Sequence, residues 1–179
     1  IMKGYYKEPE QTRVTFENGW LATGDLGTWE EGKFLRIVGR KKEMFKTSYG
    51  KYIVPQAIES RFLDSLIIDY LIVIGEGKHY AAAIVSPDFQ YAKKLLPADF
   101  SGDTKTLVGR PEIRNAIRKE IEQVNRQLGK TEQIRRHLIV EDQWTVETGE
   151  LSATMKLKRN IIIHKYAARI RQLYREDKQ

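Results

Sequence analysis

Two apolar runs near the middle of the chain carry its most regular pattern. Residues 66–74 and 80–86 have the length of β-strands and are rich in isoleucine, valine and alanine. The short segment that separates them contains Gly75 and Gly77, which is typical of a hairpin turn. The pattern therefore predicts two neighbouring antiparallel strands that are buried for most of their length.

A second hairpin is predicted nearer the amino terminus. Residues 26–29 and 33–38 are predicted to pair as strands across a Glu-Glu-Gly turn, in which Gly32 supplies a positive φ. Residues 137–140 form a further short apolar run that predicts a strand. Residues 1–17 have few core positions, so we expect a loop there.

Helical periodicity follows two prolines, each of which fits the first position of a helix. After Pro55 the apolar positions predicted to face the core are Ile58, Phe62 and Leu66. After Pro111 a longer stripe extends towards Gly129, where we expect the helix to end. This stripe consists of Ile113, Ala116, Ile117, Ile121, Val124 and Leu128.

Two more helices are predicted, over residues 88–96 and 160–174, and residues 97–110 are predicted to form a loop. Strands and helices interleave, and the paired strands are joined as hairpins. The fold class is therefore α+β, with a small and mainly antiparallel sheet flanked by helices.

The amino-acid composition excludes several kinds of functional site. The 179 residues carry a net charge of +7 and contain 41% hydrophobic residues, three histidines and no cysteine. The lack of cysteine excludes disulfides and thiolate metal sites, and it fits a reducing cytoplasm. The histidines are scattered without metal-ligand spacing. No apolar run approaches the roughly 20 residues of a membrane span.

The positive charge indicates anionic partners. It concentrates around residues 40–51 and 156–159, which favours local phosphate sites over a nucleic-acid-binding stripe. A basic module for RNA or for an acidic membrane surface is the alternative from another class. No aromatic-rich RNA motif and no patterned basic amphipathic helix supports it.

One basic stretch, residues 39–55, lies between an apolar strand and the helix that begins at Pro55. It contains Gly39 and Gly50, and glycine allows backbone dihedrals that are closed to other residues. We interpret the stretch as a hinge followed by a loop that approaches an anionic ligand. The alternative is an ordinary hairpin whose lysines face water.

Three segments, read together, resemble a known family. They are Thr23-Gly24-Asp25, the basic stretch with its continuation to residue 59, and residues 151–159. In this order and spacing they are similar to the carboxyl-terminal part of AMP-forming acyl-CoA synthetases, within the adenylate-forming enzymes. The resemblance is closest to long-chain fatty acid–CoA ligases.

The resemblance implies a division of the chain. Residues 1–38 would be the end of the large amino-terminal domain, 39–42 the hinge, and 43–179 the carboxyl-terminal swinging domain. Such enzymes also carry a Ser/Thr/Gly-rich phosphate loop and an acyl pocket, neither of which is recognisable here. We therefore expect a fragment that is inactive alone.

The resemblance also implies roles for two lysines. Lys156 matches the late lysine that stabilises charge during adenylate formation, although Lys158 remains an alternative for this role. Many relatives have glycine where this chain has Met155, and long-chain relatives often have proline at Ala153. Lys46 matches a lysine that faces the site in the thioester-forming orientation.

Four further assignments come from the same resemblance. Asp25 would accept hydrogen bonds from the nucleotide ribose, and Arg40 would contact the ribose or phosphate. Gly50 would lie beside the pantetheine arm of coenzyme A. Gly39 stands where many relatives have a hinge aspartate, and together with Arg40 it forms the expected hinge. No metal site is expected within the chain.

The implied activity is ATP-dependent activation of a fatty acid, followed by transfer of the acyl group to coenzyme A. ATP, Mg²⁺ and coenzyme A are the implied cofactors, and all of them require the amino-terminal domain as an intramolecular partner. A related enzyme acting on an aryl or amino acid is an alternative. The expected location is the cytoplasm, with peripheral membrane association left open.

Overall fold

A computed structural model of the chain describes residues 2–175. Contacts divide the chain into an N-terminal unit, Ile1–Met44, and a C-terminal unit, Phe45–Gln179. The two units are described separately below.

The N-terminal unit consists mainly of hairpins. Helix α1 covers Pro9–Thr15, and the short strands β1 (Phe16–Glu17) and β2 (Trp20–Leu21) pair antiparallel. The expectation of a loop over residues 1–17 is therefore wrong. Pro9 starts the helix at a position where its missing N–H costs nothing, a local signal that apolar periodicity does not detect.

The hairpin around Gly32 is present. Strands β3 (Asp25–Glu30) and β4 (Phe34–Arg40) pair antiparallel, and Glu31 and Gly32 have φ values of 53° and 67°. These two left-handed residues suit the right-handed twist of the strands. A 3₁₀ turn, Lys41–Glu43, follows β4.

Gly39 does not have the unusual backbone conformation expected of a glycine at a hinge. It lies inside strand β4, opposite Leu26, in extended conformation. The ladder of the hairpin continues through it, so the strand ends only after Arg40. Of the two glycines in the basic stretch, Gly50 alone is left-handed, with a φ of 76°.

The C-terminal unit is built on a three-stranded sheet in the order β7-β8-β9. Strand β7 (Ile68–Ile74) pairs antiparallel with β8 (Ala81–Pro87), and β8 pairs parallel with β9 (Ile134–Ile139). A smaller hairpin joins β5 (Phe45–Lys46) to β6 (Tyr52–Ile53). The α+β class with short, mainly antiparallel sheets is confirmed, with one parallel pairing at the edge of the larger sheet.

Helices surround this sheet. They begin with α2 (Pro55–Glu59), which continues as a 3₁₀ turn (Ser60–Phe62). The remaining helices are α3 (Phe89–Lys94), α4 (Thr104–Gly109), α5 (Pro111–Asn125), α6 (Arg159–Lys165) and α7 (Ala167–Arg175).

Every residue of β8 is buried, because both faces of the sheet are covered. On one face β8 contributes Ala81, Ala83 and Val85 to a cluster with α2, α4 and α5. On the other face a smaller cluster contains Ile84, Trp144, Ile162 and Tyr166. The predicted stripe of α5 is confirmed as core, with Ile113, Ile117, Ile121 and Val124 buried.

Several predicted helix bounds are wrong for local reasons. Leu66 is 63% exposed, because the helix from Pro55 tightens into the 3₁₀ turn and stops at Phe62. Residues 97–110 are not all loop, since the Asp103 side chain caps the amino end of α4 by accepting from Thr106 N–H.

The final helix is also divided. Tyr166, with φ −99° and ψ 15°, separates α6 from α7 within the predicted range 160–174. Helix α5 ends at Asn125, before Gly129. There the Asn125 side chain hydrogen-bonds both backbone groups of Ile134, and the Asn125 C=O accepts a hydrogen bond from Gln133 Nε2.

Candidate functional site

Asp25 and Arg40 meet at the open end of the β3–β4 hairpin. They are register partners, and Arg40 Nε lies 3.0 Å from Asp25 Oδ1. The Asp25 side chain is 26% exposed, and the Asp25 backbone N–H donates to Thr23 Oγ1 at 3.1 Å. Gly24, with φ 75°, accepts a hydrogen bond from Lys41 N–H. The arrangement presents a fixed carboxylate beside a guanidinium, which suits hydroxyl donors and phosphate oxygens respectively.

Lys46 and Gly50 lie together on the β5–β6 hairpin. Gly50 N–H donates to Thr47 C=O at 2.9 Å, and Thr47 N–H donates to Lys51 C=O at 2.9 Å. A β-carbon added at Gly50 would meet only Lys46 Cε, at 3.6 Å. The Lys46 ammonium lies 5.5 Å from the centroid of the Tyr52 ring. The hairpin therefore places a cation and an open glycine backbone side by side.

The turn between β7 and β8 holds this hairpin in place. Gly77 N–H donates to Lys46 C=O at 2.9 Å, and Ser48 N–H donates to Lys78 C=O at 2.9 Å. Ser48 Oγ lies 3.0 Å from His79 Nδ1. Beside the hairpin is a cavity of about 310 Å³, whose lining includes the cationic side chains Lys51, Lys130 and Arg135. It can accept an anionic group.

Lys156 lies on a tight loop before α6. Leu151 and Leu157 form an antiparallel bridge, and Ser152 N–H donates to Lys156 C=O at 2.8 Å. Lys156 N–H returns a hydrogen bond to Ser152 Oγ at 3.1 Å. The Lys156 side chain is exposed at this closed turn. Met155, the residue before it, has a φ of 60°, in the region that glycine favours.

Two ion pairs anchor this loop at its ends. Before it, Glu150 is 1% exposed and its Oε1 lies 2.7 Å from Lys165 Nζ. After it, Arg159 Nη2 contacts both carboxylate oxygens of Glu59 at 2.7 Å. Glu59 also accepts from Val73 N–H at 2.6 Å, so this pair ties the loop to α2 and to β7. An ion pair with at least one buried or partly buried partner therefore holds the loop on each side.

A further polar network lies behind the first anchor. Tyr166 O–H donates to Asp142 Oδ2 at 2.6 Å, and Trp144 Nε1–H donates to Tyr166 Oη at 3.2 Å. The hydrogen bond from Tyr166 lowers the pKa of Asp142. Burial, followed by the hydrogen bond to Asp142, raises the pKa of Tyr166 to about 12. Burial by itself would lower the pKa of Lys165, but its interactions with Glu150, Tyr166 and Asp142 outweigh burial and raise the pKa.

Comparison with known proteins identifies the family. Residues 43–178 match the AMP-binding enzyme C-terminal domain. The chain belongs to this family. It is 31% identical over 180 residues to the long-chain-fatty-acid–CoA ligase FadD15 of Mycobacterium tuberculosis, covering 99% of this chain and 30% of the ligase. It is 34% identical to the putative fatty-acid–CoA ligase fadD11 of the same species, covering 97% of this chain and 31% of that protein.

A solved structure supports the same placement. The A domain of carboxylic acid reductase from Segniliparus rugosus, in complex with AMP and a co-purified carboxylic acid, superposes with a TM-score of 0.78 at 27% identity. The match covers 98% of this chain and 27% of that structure. The AMP-binding enzyme C-terminal domain thus spans less than a third of each of these proteins.

The predicted site residues lie in three places. Asp25 pairs with Arg40, Lys46 lies beside Gly50, and Lys156 lies on the loop before α6. The roles assigned to these residues, and the hinge at 39–42, remain predictions. The unit boundary falls after Met44, two residues beyond that range.

Sequence reasoning missed the anchors of the Lys156 loop in this AMP-binding enzyme C-terminal domain. Glu59 and Arg159 are 100 positions apart, and nothing in the pattern indicates their contact. Charged residues at the ends of a basic segment are ordinarily exposed, so burial of Glu150 could not be anticipated.

Within residues 2–175 no group of three or more histidine, aspartate or glutamate side chains could hold a metal ion. Within the same range no helix combines the length and apolar character needed to cross a membrane.

Proposed function

We propose that this chain contributes the C-terminal share of an AMP-forming long-chain fatty acid–CoA ligase. In the proposed reaction a fatty acid carboxylate attacks the α-phosphate of ATP, giving an acyl adenylate and pyrophosphate. Coenzyme A then displaces AMP and forms the thioester. Support comes from the fatty acid–CoA ligases that match nearly the whole chain at 31% and 34% identity.

The observation that carries the proposal is the anchored Lys156 loop. Adenylate formation builds negative charge on the phosphate and leaving oxygens, and a preorganised cation stabilises that charge. Lys156 projects from a closed turn between the Glu150–Lys165 pair, in which only the carboxylate is buried, and the partly buried Glu59–Arg159 pair. The loop is thereby fixed while the ammonium group on its flexible stem is free to enter a site.

The other residues take the roles that the family resemblance suggests. Asp25 accepts hydrogen bonds from the ribose hydroxyls, and Arg40 steadies that carboxylate and the nucleotide. In the second half-reaction Lys46 faces the site and the pantetheine arm passes Gly50. Mg²⁺ would arrive with ATP. Rotation at the hinge, Gly39 and Arg40, alternates the two arrangements.

A second candidate is the adenylation part of a carboxylic acid reductase. The superposition on the Segniliparus rugosus A domain at a TM-score of 0.78 favours it. Both candidates share adenylate formation and the Lys156 role. They differ in the acceptor of the acyl group, so thioester formation with free coenzyme A separates them.

The test compares two lysines of one loop in the enzyme that carries this domain together with its amino-terminal domain. Lys156→Ala should reduce fatty-acid-dependent ATP–pyrophosphate exchange by about 10²–10³-fold, the typical cost of one preorganised stabilising donor. Thioester formation from a supplied acyl adenylate should change little. Lys158→Ala is the matched control, because Lys158 is also exposed and its backbone N–H donates to Glu150.

The control variant should leave both half-reactions close to normal. Equal damage to both half-reactions in Lys156→Ala would assign the residue a structural role. A large loss of exchange in Lys158→Ala instead would move the cation to that position. The 179-residue chain alone should form no acyl-CoA from fatty acid, ATP and coenzyme A. Turnover by this chain would contradict the proposal that the amino-terminal domain is needed for activity.

A further inference from the structure

A basic groove runs between helix α5, strand β9 and helix α7. It encloses about 850 Å³, and no aspartate or glutamate is among the residues that line it. It shares only Arg135 with the smaller cavity beside Gly50. The guanidinium groups that line it belong to Arg114, Arg118, Arg135, Arg136 and Arg169.

Carboxylates at the rim compensate part of this charge. Arg169 Nη1 lies 2.7 Å from Glu141 Oε2, and Arg118 Nε lies 3.7 Å from Glu122 Oε1, a longer and exposed pair. Arg114 forms no ion pair with any of the residues 2–175. Like charges gathered in one groove repel one another, and a bound anion would relieve that repulsion.

His137 lies in this groove and reports its electrostatic field. Its side chain is half-buried on β9. Burial, and then the positive charges of Arg114 and Arg118, lower the pKa of His137. The lowered pKa favours the neutral imidazole, which can both accept and donate a hydrogen bond.

The backbone of β9 restricts what can occupy the groove. β9 is an edge strand, and such an edge ordinarily invites another strand to pair. Here Asn125 hydrogen-bonds both N–H and C=O of Ile134 at 2.9 Å, and Arg169 Nη2 donates to Ile139 C=O at 2.9 Å. Both ends of the edge are covered by side chains. This disfavours an extended peptide and favours a compact anion.

We propose that this groove binds a phosphate monoester, carried either by a soluble organic molecule or by a lipid headgroup. A phosphate monoester carries about −1.5 to −2 charges at pH 7 and has three acceptor oxygens. The planar fork of guanidinium matches phosphate oxygens in pairs. Arg114 and Arg118 lie four positions apart on α5, a spacing that puts them on one face of the helix. The site is independent of the proposed ligase reaction.

The experiment follows the His137 ring signals of the 179-residue chain by NMR, assigned with His137→Gln. Glycerol 3-phosphate should shift them saturably. The double variant Arg114→Gln/Arg118→Gln should weaken binding by roughly tenfold or more, because hydrogen bonds to charged groups are lost. The matched control, Lys119→Gln/Arg126→Gln, removes two charges of the same region outside the groove lining and should bind normally.

A vesicle arm separates the two sources of the phosphate. Phosphatidate presents the same headgroup as glycerol 3-phosphate, so sedimentation with phosphatidylcholine vesicles is compared with and without phosphatidate. Saturable binding in either arm that the groove variant loses and the control keeps supports the site, and the arm in which it occurs names the source. Absence of binding in both arms, or equal loss of binding in the control variant, would overturn it.

Discussion

Replacement of Gly50 by leucine tests how the β5–β6 hairpin serves the second half-reaction. Gly50 has a φ of 76°, and an added β-carbon meets only Lys46 Cε at the ordinary contact distance of 3.6 Å. The cost of Gly50→Leu is therefore backbone strain and not a clash. Holding an L-residue in the left-handed region costs roughly 1–2 kcal/mol, which a domain of ordinary stability tolerates.

The turn between β7 and β8 offers a control with the same strain. Gly77 has a φ of 65°, and a β-carbon there meets nothing within 4 Å. Its N–H donates to Lys46 C=O, so Gly77→Leu strains the support of the hairpin without placing a side chain at Gly50. For units of this size, both variants should lower the melting temperature by roughly 2–8 °C.

The assays are ATP–pyrophosphate exchange, thioester formation and thermal unfolding, measured on both variants of the intact enzyme. If the pantetheine arm passes Gly50, Gly50→Leu should reduce thioester formation on the order of 10²-fold, as misplacement of a reactant by about 1 Å does. Exchange should stay nearly intact, and Gly77→Leu should keep both activities.

Loss of both half-reactions in both variants would reduce Gly50 to a turn former. A folded Gly50→Leu enzyme with undiminished thioester formation would refute the pantetheine assignment.

Three further changes probe the supports of the site. Glu59→Gln should cost about 1.5–3 kcal/mol in urea unfolding, because it removes the charge that pairs with the Arg159 guanidinium at 2.7 Å; the side chains of Glu59 and Arg159 are only 13% and 18% exposed. Asp142→Asn should lower stability at pH 7 and flatten its fall in acid. The lowered pKa of Asp142 gives stability that is present above its ordinary value of 3.8 and is lost as the pH falls below it. Met155→Gly should stabilise the chain by up to about 1 kcal/mol, since relief of left-handed strain exceeds the entropic cost of glycine.

Each of these changes has its own check. Glu122→Gln removes an exposed pair, 60% and 58% accessible, and should change stability by less than about 1 kcal/mol. An acid unfolding curve that is unchanged in Asp142→Asn would show that Asp142 carries no pH-linked stability. Met155→Ala keeps the strained φ, so stabilisation equal to that of Met155→Gly would mean that strain is not the cause.

The local pattern of the chain predicted much of its framework. The segments around Gly32, the apolar runs 66–74 and 80–86, and the stripe after Pro111 correspond to the hairpins and to α5. The turn glycines mark the hairpins, the continuous apolar run of β8 reflects a strand that is buried on both faces, and the period-3.6 stripe of α5 reflects its buried face. The bounds of the elements were predicted less well, as at Asn125, where α5 ends and the side chain hydrogen-bonds Ile134.

Some residues of the candidate site could be predicted from the sequence, and others are recognised only in the tertiary structure. Lys46, Gly50 and Lys156 could be selected from sequence because basic loops with glycine, set between regular elements, are visible as composition. The contacts of Glu59 with Arg159, 100 positions apart, and of Glu150 with Lys165, 15 positions apart, could not be predicted, because neither separation belongs to a helical or strand period. The arginines of the groove are likewise scattered over α5, β9 and α7. Their charges add together only because the sheet and helices bring them within range of one another, and Coulomb interactions depend on distance in space and not on separation in sequence.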